Sequence, residues 1–62
     1  MFNLFSQANA LAASEDFRDL VLVEQKTLKE LKETSPYKKV EDSTPGVLEE
    51  AVKIVNFTKS EV

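Results

Sequence analysis

Every residue that most strongly interrupts a helix sits in one stretch of this chain: the only glycine, Gly46, and the only prolines, Pro36 and Pro45. From Met1 to Ser35 nothing in the backbone forbids helix. The segment from Thr34 to Gly46 adds five Ser, Thr or Asp residues to those breakers, which marks residues 35–44 as the main connecting loop. The expected fold is therefore all-α, a small helical hairpin or three-helix unit forming one domain over residues 1–62.

The C-terminal helix has the plainest start. Thr44 can cap it, Pro45 suits the first helical position because its missing N–H has no partner there, and Glu49 and Glu50 lie near the positive end of the dipole. At 3.6 residues per turn, Val47, Leu48, Ala51, Val52, Ile54, Val55 and Val62 share an arc of about 160°. Glu49, Glu50, Lys53 and Asn56 fill the other side, with Glu49 and Lys53 as an i,i+4 pair. A helix over about 45–57 follows. Phe57 projects onto the polar side, so either the helix ends near Asn56 or Phe57 meets a second surface.

In the first half, Phe17, Leu20, Val21, Leu28 and Leu31 make one apolar stripe, flanked by Lys26–Glu30 and Lys29–Glu33 spacings. This predicts a helix over about 15–34. Leu4, Phe5, Ala8, Leu11 and Ala12 make a second stripe, for a short helix over about 3–13, but its centre points about 170° away from the first. One straight helix cannot aim both at one core. Ser14, followed by Glu15 and Asp16, offers an N-cap and an acidic first turn, so a break there resolves the conflict. The competing solution is one helix of about thirty residues whose ends are buried on opposite sides by another chain. The run Leu20-Val21-Leu22-Val23 wraps a whole helix circumference, which leaves Leu22 and Val23 off the stripe. A short strand there competes with strong helix formers on both flanks.

Length and inventory narrow the function. A chain of 62 residues buries only about 60% of its unfolded surface. It has no cysteine for disulfides, and without cysteine or histidine it lacks the usual zinc ligands. The same absence removes the common nucleophile and base pairs, so no enzymatic activity, catalytic residue, cofactor or metal is expected. Glu15, Asp16 and Asp19 are an acidic first turn before they are a cation site. Eight Lys and Arg against eleven Asp and Glu give a net charge of −3, which opposes phosphate binding, so no nucleic-acid partner is expected. Interleaved lysines also argue against mimicry of nucleic acid.

Residues 1–14 carry no charge, and Asn3, Ser6, Gln7 and Asn9 interrupt what would otherwise be a signal-like apolar stretch. The expectation is a chain in the cytoplasm or within a larger particle, not secreted, with no membrane contact. Asn56-Phe57-Thr58 matches a glycosylation sequon, Ser35-Pro36-Tyr37-Lys38 a proline-directed phosphorylation site and Ser60-Glu61-Val62 a C-terminal ligand motif. The sequon needs a secretory route that the N-terminal stretch does not support, and the other two read as a helix stop with a turn residue and as the last turn of the apolar face. What remains is apolar surface. The expected role is a non-enzymatic structural or interaction protein, an acidic subunit of an oligomer or larger assembly. It would contact a protein partner, or itself, through Phe2, Phe5, Leu22, Val23 and Phe57. The alternative is a small regulator or inhibitor, such as a viral anti-host or bacterial regulatory protein, that offers one helix face to a target protein.

Overall fold

The computed structural model describes residues 3–60, with side chains placed through residue 58. Five helices and no strand occur among the described residues: α1 (Leu4–Ala12), α2 (Glu15–Leu22), α3 (Leu28–Lys32), α4 (Tyr37–Ser43) and α5 (Val47–Ser60). The radius of gyration is 10.7 Å, close to the roughly 10.6 Å that a compact chain of this length adopts.

Asn3 starts α1 by accepting the N–H of Ser6 on its Oδ1 at 2.7 Å. The chain breaks at Ser14, whose ψ of 128° is extended, and α2 then leaves in a new direction. The break at Ser14 is thus present, although the Ser14 side chain makes no capping hydrogen bond and only its carbonyl joins the ladder, accepting from Arg18 at 3.0 Å.

Three sequence-derived boundaries are revised. The expected helix over 15–34 is two helices. After Leu22 the backbone turns through Gln25, whose φ of 54° is left-handed, and the N–H of Lys26 reaches back to the carbonyl of Leu20 at 2.9 Å. Thr27 then opens α3 with a reciprocal capping box: its Oγ1 accepts the Glu30 N–H at 3.2 Å and its N–H donates to Glu30 Oε1 at 2.9 Å. Glu30 is consequently committed to the cap, and Lys26 sits 3.9 Å from Glu24 instead.

The second revision concerns the connection over 35–44. Within it Tyr37–Ser43 forms α4, because its residues after Pro36 are compatible with helix and Tyr37 gains burial there. The third concerns α5, which begins at Val47 rather than Pro45. Gly46 has φ 99° and its carbonyl accepts the Glu50 N–H at 3.1 Å, so Gly46 occupies the half-turn before the helix. Its own N–H donates to the Glu41 carboxylate at 3.2 and 3.3 Å. An anion at a helix N-terminus is favourable, and it comes from α4, inside the stretch expected to be the connecting loop.

Phe17, Leu31, Leu48, Ala51, Val55, Ala8, Ala12 and Tyr37 form the core, with no polar side chain buried among them. The most extensive helix contact is between α1 and α5. Ala8 and Ala12, one turn apart, face this core together with Ala51, and small side chains there let the two backbones come close. Leu4 Cδ1 lies 3.3 Å from where a Cβ on Gly46 would stand, which fixes the beginning of α1 at the beginning of α5. On α2, Phe17 is wholly buried and packs edge-on against Tyr37, ring centroids 5.4 Å apart at 66°.

Candidate functional site

The five residues expected to contact a partner separate into different environments. Phe5 on α1 is 65% exposed, Val23 just after α2 is 74% exposed and Phe57 on α5 is 66% exposed. These are the large apolar side chains that the described residues leave in water. Leu22 is half-buried and packs partly onto the core, while Phe2 lies outside the described residues.

Their positions follow from local geometry. In α1 the core face is set by Ala8 and Ala12, and Phe5 lies beside Leu4, which is the residue that turns inward to Gly46. In α5 the core face runs through Leu48, Ala51 and Val55, with Phe57 about 200° around the helix from Val55. Phe57 therefore shares the outer side with the exposed Asn56 and Lys53. Phe57 lies eleven positions beyond Gly46, about 16 Å along the helix axis. Phe5 and Phe57 accordingly sit toward opposite ends of α5 and do not make one patch.

Val23 has closer company. Glu15, Arg18, Asp19, Leu22 and Val23 line one shallow groove along the outside of α2. Their spacing of i, i+3, i+4, i+7 and i+8 places them on one helix face. Leu22 and Val23 form its apolar end. Glu15, Arg18 and Asp19 form a charged rim, and none of the three is held in an ion pair among the described residues. The three charged members were not singled out as contacts from sequence, although the same helical spacing that separates Leu22 from the core stripe connects them to it.

Two exposed charged groups elsewhere are occupied locally, Lys53 and Glu30. Lys53 Nζ is 3.5 Å from Glu50 and 3.8 Å from Glu49, so the expected Glu49–Lys53 pair is present as one arm of a fork. Glu30 is held below the ordinary carboxylate range by the hydrogen bonds from the Thr27 backbone and hydroxyl. Burial raises the Tyr37 hydroxyl above its ordinary value, and the nearby Asp16 charge adds to the shift.

Among the described residues no group of three carboxylates converges as a metal site. No helix there is long and apolar enough to cross a membrane. No known family model, curated protein or solved structure matches the chain.

Proposed function

We propose that this chain is a non-enzymatic interaction protein, a small subunit of an oligomer or larger assembly that docks through apolar side chains on its helices. The observation that carries the reading is the exposure of Phe5, Val23 and Phe57 on a chain with little core to spare. Each of these side chains would release apolar surface from water on docking, at about 25 cal/mol per Å². The absence of histidine and cysteine fits a role in binding rather than catalysis. The partner is a protein, or a second copy of the chain, and the work is done in the cytoplasm or inside a larger particle.

The α2 groove supports a second reading. An apolar end with an unpaired charged rim on a single helix resembles the anatomy of a protein contact, and would suit a regulator that presents one helix to its target.

Sedimentation of the purified chain at micromolar concentration tests the first reading. The expected result is a concentration-dependent oligomer, shifted toward monomer by the triple change Phe5→Ser, Val23→Ser and Phe57→Ser with helical circular dichroism retained. A cooperative folded monomer at all concentrations, indifferent to the triple change, overturns self-association and favours the regulator.

A further inference from the structure

We draw no further inference here: the strongest candidate, the shallow groove along the outside of α2 where Leu22 and Val23 adjoin Glu15, Arg18 and Asp19, belongs to the contact surface already described, and nothing in the structure shows what covers it.

Discussion

Leu4 and Gly46 meet where α1 and α5 begin, with the Leu4 Cδ1 methyl 3.3 Å from the point at which any larger residue would place its Cβ. Two demands coincide at this glycine, since its φ of 99° is also a conformation that L side chains rarely adopt. Gly46→Ala should therefore destabilise the fold by about 1–2 kcal/mol, from backbone conformation alone, with the Leu4 contact adding to it. Urea unfolding of the two proteins measures the difference. An unchanged midpoint would contradict both the left-handed conformation of Gly46 and its contact with Leu4.

The capping box of α3 makes acid sensitivity local. Because Glu30 is held below its ordinary value of 4.5 in the folded chain, its contribution is fully present above that value and is lost as pH falls through the lower folded one. Glu30→Gln keeps an acceptor for the Thr27 N–H but has no charge to titrate. Its stability should fall less than that of the parent between pH 5 and pH 3 (about the span over which a carboxylate of this kind gains its proton), as followed by thermal melts. Thr27→Ala should cost about 1 kcal/mol at neutral pH through loss of the cap.

Phe17 is the largest wholly buried side chain among the described residues, and it links α2 to α4 through the Tyr37 ring. Truncation to alanine in a packed core costs about 3–5 kcal/mol. A small core supplies about that much stability in total. Phe17→Ala should accordingly abolish the cooperative thermal transition, while Phe17→Leu should retain a weakened one. Calorimetry distinguishes the two, and a full cooperative transition for Phe17→Ala would contradict the packing described.

Gln25 holds the turn between α2 and α3 in the left-handed region at φ 54°. Gln25→Gly removes the Cβ conflict there but loosens the unfolded chain, and the balance should stabilise the protein by about 0.5–1 kcal/mol. A lower unfolding midpoint would mean that this turn is not left-handed.

The sequence makes the helix content and the break at Ser14 legible for a simple reason: two apolar stripes about 170° apart cannot share one straight helix. The second break, at 23–27, is harder to read because no glycine or proline marks it. A non-glycine residue takes the left-handed position, and tertiary burial of Leu31 stabilises the new direction. Its signal is present as Thr27 followed three residues later by Glu30, a capping-box spacing inside what otherwise looks like the middle of a helix. Likewise α4 hides between two prolines, since local punctuation at 36 and 45 says nothing of the burial that Tyr37 gains against Phe17. The exposure of Phe57 is legible from helical projection alone.

The Glu41 carboxylate accepts the Gly46 N–H at the start of α5 and lies 4.0 Å from Lys32 Nζ at the end of α3. Three helices thus converge on one side chain seated in the shortest-range part of the fold. Unwinding α4 would withdraw the anion from the first turn of α5 and the counter-charge from Lys32 together. Residues 28–50 are therefore tied into one opening unit, whose amides should exchange with solvent in a shared event rather than helix by helix.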